Sequence, residues 1–432
     1  MEALWGCGLL LGLMLFGVPI AWSFAGVLAY LVVVYEPGLS TLMLQGFRSI
    51  NSVVIVALPL FVLTGYLMQS GGIAKKLVVF IETLIGGRRG GMGASMVVAA
   101  GVFGAIAGTS TAAVASIGKM MIGPLEKKGY PRGYSSAILG ISSLLGILIP
   151  PSIIMILFGV ATRQSVAALF AASVIPALIL IFLMVVLNRF LSGKLYHEKI
   201  DAAKIGYETH LDKGKSLLQA IPALTMPVII LGGIYGGFFT PTEAAAVAVV
   251  SAVLIGFCVY REMSLKSLYH GTVDAAETTG TIMLILLFSF MIGGILSSQG
   301  IPQDLADYVS SLVQSPWLVV LTVSLFLVII GALVDDVTVT VVVAPLLLPL
   351  MVTNGVDPVH YAAIVATSVV IGANSPPVAP ILYMACKVGD VSIHKAIAPA
   401  LLFMSLAAFP TMLITAYVPE VALFLPRLFG LL

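Results

Sequence analysis

A chain of 432 residues that is 60% hydrophobic and only 9% charged is not a water-soluble globule, in which roughly a quarter of residues are charged. Its net charge of +2 provides no basic footprint, so nucleic acid is excluded as a partner. Long apolar runs such as 316 to 333 and 400 to 418 do not alternate, which excludes a lipid-facing strand barrel and leaves an all-α polytopic membrane protein.

At roughly 20 residues per crossing, the chain has room for on the order of a dozen segments in a lipid bilayer. The N-terminus, Met1-Glu2-Ala3-Leu4-Trp5, lacks a basic leader and runs apolar past Tyr30. That is longer than a signal h-region and reads as a retained first transmembrane helix. Further on, Gly104-Ala105-Ile106-Ala107-Gly108-Thr109-Ser110-Thr111 is flanked by apolar runs too short to cross alone. This predicts a re-entrant hairpin over about 90–125, with hydroxyls and backbone at its tip. A small-residue packing seam gives the same pattern.

The next interruption is Gly146-Ile147-Leu148-Ile149-Pro150-Pro151-Ser152. Tandem prolines remove two N–H donors and push the preceding residue out of the helical region, freeing carbonyls about one turn upstream. Residues 192–215 then form the densest hydrophilic stretch, with five lysines (194, 199, 204, 213, 215). The interspersed Leu195, Tyr196, Ile200, Ile205 and Leu211 predict an amphipathic connector, and the lysines place it on the cytoplasmic side. Thr240-Pro241-Thr242-Glu243 reads as a capping box opening a helix, a structural feature.

The second half contains Gly331-Ala332-Leu333-Val334-Asp335-Asp336-Val337-Thr338 inside an otherwise apolar run from 318 to 350. It predicts a second hairpin over about 316–352. Two unpaired aspartates at membrane depth cost at least a few kcal/mol each, so a bound cation, a proton, a water-lined cavity or a tip at the aqueous surface is required. The run Gly372-Ala373-Asn374-Ser375-Pro376-Pro377 repeats the tandem-proline break. Freed carbonyls with Ser and Asn oxygens suit a hard monovalent cation such as sodium, and half-helix N-termini suit an anionic substrate group. Lys119, Arg163 and Lys387 either meet a substrate carboxylate or snorkel to the interface. Cys7, Cys258 and Cys386 are too scattered for a disulfide framework, and the five histidines (197, 210, 270, 360, 394) have no ligand spacing. No Walker, H-E-x-x-H or G-x-S-x-G motif is present.

The halves repeat each other at a nearly constant offset, from 228 between Gly65 and Gly293 to 226 between Pro150 and Pro376. Gly72-Ile73 and Leu77 match Gly300-Ile301 and Leu305; Gly104-Ala105 through Thr111 match Gly331-Ala332 through Thr338; Gly129, Pro131 and Tyr134 match Gly355, Pro358 and Tyr361. The organisation is therefore a first half over 1–191, the connector, and a second half over 216–432. Secondary transporters are commonly built from such repeats, related by a pseudo-two-fold axis in the membrane plane.

These residues resemble the large membrane subunit of TRAP (tripartite ATP-independent periplasmic) transporters. The resemblance covers essentially the whole chain. It rests on Gly140 to Ser152, on Gly237-Phe238-Phe239-Thr240-Pro241-Thr242-Glu243-Ala244-Ala245-Ala246, on the Lys128-Gly129-Tyr130 turn and on Pro376-Pro377. It implies two inverted-topology repeats with two re-entrant hairpins and two Pro-Pro broken helices, working as an elevator-type carrier in the bacterial cytoplasmic (inner) membrane. It also implies sodium-driven symport of an organic acid, a carboxylate delivered by a periplasmic substrate-binding protein, and a separate small four-helix membrane subunit. By the same resemblance, sodium sites fall to Thr109, Ser110, Thr111, Gly146 and Pro150 in the first half, and to Asp335, Asp336, Thr338, Gly372, Asn374 and Ser375 in the second. The substrate is placed between the tips, against Ser110, Asp336 and Asn374. Family members often carry Thr where this chain has Ser375, and the tandem Asp335-Asp336 is more acidic than the family pattern.

Two other readings remain open from the sequence. One is a stand-alone sodium- or proton-coupled elevator carrier of the same broken-helix plan. The other is an intramembrane enzyme using Asp335 and Asp336 as an acid pair, although neighbours on a helix point about 100° apart and make a poor facing dyad.

Overall fold

The computed structural model describes residues 2–194, 213–313, 315–375 and 379–432. The helices α1 (Glu2–Leu15) and α2 (Ile20–Tyr35) pack on each other. The sequence predicted one helix here; Gly17, at φ +80, and Pro19 instead turn the chain and split it in two. After α3 (Leu39–Ile50), α4 (Val53–Ser70) and α5 (Ile73–Ile85), the antiparallel pair α6 (Gly91–Ala107) and α7 (Ser110–Lys127) is joined by only Gly108 and Thr109. The next run is α8 (Arg132–Ser143), α9 (Leu145–Leu148) and α10 (Ile153–Thr162), bent by 43° at the tandem prolines. The long α11 (Val166–Lys194) closes the first half.

The second half follows a comparable order. The helices α12 (Lys213–Tyr235), α13 (Pro241–Leu254) and α14 (Leu265–Ser298) precede α15 (Ile301–Leu312). Then α16 (Pro316–Leu333) turns at Val334 and Asp335 into the short α17 (Asp336–Thr338), a π-helical turn over Val339–Val343, and α18 (Ala344–Thr353). α19 (Pro358–Gly372) leads to the tandem-proline segment, and α20 (Pro380–Val388), α21 (Ile393–Phe403), α22 (Phe409–Tyr417) and α23 (Pro419–Leu428) complete the chain. The capping box at Thr240 is formed, with Thr240 N–H donating to Glu243 Oε2 at 2.8 Å. The central part of the expected connector (195–212) and Pro376-Pro377 lie outside the described residues.

Among the described residues, 8 helices are long and apolar enough to cross a membrane, or 9 if the bent pair is one span. This makes the chain a multi-pass membrane protein. The sequence estimate of about a dozen segments is approached only by adding the shorter apolar helices Trp5–Met14, Ile20–Tyr35, Gly91–Ala105 and Pro358–Gly372.

The helices preceding the two breaks are the most enclosed. Every residue of α8 from Gly133 to Ser143, and every residue of α19 from Val359 to Gly372, is buried. Neither helix faces lipid, which explains why they tolerate hydroxyls that an exposed span could not. Ser143 of α8 donates to the Gly140 carbonyl at 2.8 Å, and Thr367 of α19 to the Ala363 carbonyl at 2.9 Å. The base of the α6–α7 pair is pinned by polar contacts. Buried Lys128 donates to the Gly86 carbonyl at 3.2 Å, while Asn188 of α11 donates to the Gly90 carbonyl at 2.7 Å and accepts from Tyr134 at 3.0 Å. The largest apolar core draws on both halves; a smaller one joins α2, α3 and α14, and another joins α4, α5, α12 and α13.

Candidate functional site

The tip of the first helix pair is two residues long. Gly108 ends α6 at φ +66, where a Cβ costs about 1–2 kcal/mol. Thr109 then caps α7, its hydroxyl accepting from Ala112 N–H at 3.3 Å. This tip lies directly on the first break. A Cβ added to Gly104 would sit 2.6 Å from Gly146 Cα; one on Gly146 would sit 2.8 Å from the Thr109 carbonyl oxygen, and one on Gly108 2.8 Å from that of Pro151. Backbone therefore meets backbone with no side chain between.

Of the residues expected at the first-half site, Thr109, Ser110 and Gly146 are brought together this way, and Ser110 and Pro150 are buried. Thr111 is exposed; with Thr109 it lines a cavity of about 110 Å³ bounded by Gly65, Tyr66 and Thr278. Tyr66 and Thr278 are hydrogen-bonded through their hydroxyls at 2.9 Å. One carbonyl in the break is recaptured locally, because the Ser152 hydroxyl donates to Ile147.

The second tip is built from carboxylates. Asp335 caps α17: its Oδ2 accepts from Thr338 N–H at 3.2 Å, and its Oδ1 accepts from the Thr338 hydroxyl. The Oδ1 of Asp336 accepts from Val337 N–H at 3.0 Å. Among the described residues neither aspartate has a Lys or Arg within ion-pair distance. Part of the expected partnership is thus supplied by the tip's own first helical turn, whose N–H groups and dipole favour negative charge.

The second tip repeats the first contact. A Cβ on Gly372 would fall 2.7 Å from Gly331 Cα and 2.9 Å from the Val328 carbonyl oxygen. Gly104 and Gly146 precede Gly331 and Gly372 by 227 and 226 residues, and a like glycine pair closes each helix pair. Asn374 then crosses to the other half, its Nδ2 donating to the Gly140 carbonyl of α8 at 3.3 Å. Its Oδ1 is buried without a hydrogen-bond partner among the described residues. The Ser375 hydroxyl donates to the Ile371 carbonyl at 2.8 Å.

No hydrogen bond among the described residues joins Ser110, Asp336 and Asn374 to one another. What joins the two sites is packing, with α10 of the first break lying against α17 and the π-helical turn of the second tip. Lys119 and Lys387 are exposed, whereas Arg163 lines a larger cavity of about 930 Å³. Sequence reasoning missed the Asn374 to Gly140 crossing and the Tyr66 to Thr278 pair. Both join residues far apart in the chain, and only the polarity of Asn374 within an apolar stretch hinted at either.

A multi-pass helical protein with two interrupted helix pairs closed glycine-to-glycine is built as a membrane transporter is built, with irregular backbone enclosed by protein. A family profile described as "Tripartite ATP-independent periplasmic transporter, DctM component" matches residues 7–421, and the chain belongs to that family. It is 31% identical over all of both chains to the C4-dicarboxylate TRAP transporter large permease protein DctM of Rhodobacter capsulatus. It is 30% identical to the sialic acid TRAP transporter large permease protein SiaM of Vibrio cholerae, covering 97% of each chain. An isethionate TRAP transporter permease protein, DctMQ of Oleidesulfovibrio alaskensis, is 32% identical over 94% of this chain and 64% of its own length. Among solved structures, the YdaH transporter of Alcanivorax borkumensis superposes with a TM-score of 0.61 at 16% identity, covering 89% of this chain and 88% of that one. That likeness concerns the fold.

Proposed function

We propose that the chain is the large permease subunit of a sodium-driven symporter for a small organic acid, made of two inverted repeats whose helix pairs are re-entrant hairpins. The hairpin-bearing part moves as an elevator against a scaffold. A small four-helix membrane subunit completes that scaffold, and a periplasmic binding protein delivers the substrate across the inner membrane's outer face. The observation that carries this reading is the pair of glycine-closed tips, each seated on a break that holds oxygen donors. The buried, unpartnered Oδ1 of Asn374 and the buried hydroxyl of Ser110 suit sodium, a hard cation that prefers oxygen ligands. The longer fused relative supports a membrane partner.

Sodium and substrate stabilise the same closed, neutralised site. Because isolated charge crosses the apolar barrier at high cost, the moving part crosses readily when both are bound or both absent. Solute accumulation in proteoliposomes tests this. Accumulation should require the sodium gradient, the small subunit and the loaded binding protein together. Accumulation by this chain alone would assign it to the stand-alone carriers instead.

A further inference from the structure

The cavity of about 930 Å³ is separate from both tips: no residue of 104–111 or 331–338 lines it. Its walls come from α3 between Thr41 and Ser49, from α14 between Ser289 and Ser297, from the turn joining α10 to α11, and from Val341 to Leu346 after the second tip. It is of a size that holds small ligands.

Its charge is one-sided. Arg48 and Arg163 both line it, and no acidic side chain does so among the described residues. Neither arginine makes an ion pair among those residues. Ser289, only 1% exposed, stands in the same wall with its Oγ closed off from the open space. Arg163 itself closes α10 at φ +58, where glycine would avoid about 1–2 kcal/mol of strain. Two arginines without an ion-pair partner among the described residues, lining one cavity that no described acid enters, suit a carboxylate, since guanidinium forks bind carboxylates bidentately.

Position gives the cavity its direction. Arg163 precedes α11, whose 29 residues rise about 43 Å to the end that carries the lysine-rich connector. The cavity therefore lies on the face opposite the connector, where a solute released outside arrives. We infer that this cavity is a vestibule that binds the carboxylate of the incoming solute between Arg48 and Arg163, before the solute reaches the tips. The inference rests on the uptake reading proposed above.

The test separates the two. In a Cys7→Ser, Cys258→Ser background, Ser49→Cys on the cavity wall is labelled with a maleimide in sodium-free proteoliposomes of neutral lipid, with and without succinate at constant ionic strength. Succinate should slow labelling severalfold, and Arg48→Gln or Arg163→Gln should abolish the protection. Arg163→Gly, which relieves the backbone, should lose protection while melting no lower than the parent. Asp336→Ala should keep protection while losing sodium-driven uptake, so a failure of the tip mechanism would not mimic a failure of the vestibule. In uptake assays the two Gln variants should raise KM about tenfold with kcat nearly unchanged. Unprotected labelling in the presence of succinate would overturn the proposal. So would protection by phosphatidylglycerol-rich vesicles without succinate, which would make the cavity a lipid-headgroup site.

Discussion

Asn374 links the two halves of the chain through its Nδ2, 3.3 Å from the Gly140 carbonyl oxygen, while its Oδ1 stays buried and unpartnered among the described residues. A buried unsatisfied acceptor costs roughly 1–3 kcal/mol. The Gly140 carbonyl also receives the Ser143 hydroxyl at 2.8 Å, so it keeps a partner if Asn374 is lost. Asn374→Leu should therefore melt no lower than the parent in detergent while raising the sodium concentration for half-maximal uptake by about tenfold or more. Unaltered sodium activation in that variant would remove Asn374 from the ion site.

The glycine pairs predict opposite outcomes for one kind of substitution. Gly146→Ala places a methyl 2.8 Å from the Thr109 carbonyl oxygen, and overpacking of this kind costs about 1–3 kcal/mol. Gly232, inside α12, has nothing within 4 Å of a Cβ. Gly232→Ala should gain up to about 1 kcal/mol from helix propensity. Thermal unfolding of both variants checks this: a shift of the same sign in each would contradict the tip-on-break contact.

The two aspartates should separate by role. Asp335→Ala removes the cap on α17, a loss of about 0.5–2 kcal/mol, and should lower the melting temperature. Asp335→Ser keeps a capping oxygen and should restore most of that stability. Asp336→Ala leaves the cap intact and should instead weaken the sodium dependence of uptake. If both alanine variants lost only stability, the tip would be structural throughout.

Much of this architecture could be read from residue types. Length and apolar content were enough for a multi-pass helical protein, and the small-residue tips and the Pro150-Pro151 pair located interruptions among the described residues because glycine and proline act on the backbone locally. Long-range geometry left little trace. Nothing near Asn374 in the sequence points to Gly140, and nothing in Asp335-Asp336 shows that one carboxylate would cap its own helix. The π-helical turns over Val339–Val343 and Met404–Ala408 were also not foreseen. Each ends just before Pro345 or Pro410, whose missing N–H disturbs the usual ladder, but the proline alone does not determine how the chain relaxes. At the N-terminus the apolar run past Tyr30 masks the turn that Gly17 and Pro19 make.

The enclosure of α8 has a consequence for biogenesis. Its sequence, from Arg132 to Ser143, includes four serines, Ser135, Ser136, Ser142 and Ser143, all buried in the finished protein. A segment of that polarity partitions poorly into lipid alone. It must be taken from the translocon by partners already waiting, and α6 and α7, which emerge before it and pack against it, are the ones at hand. The α6–α7 pair would then serve the growing chain as a local chaperone.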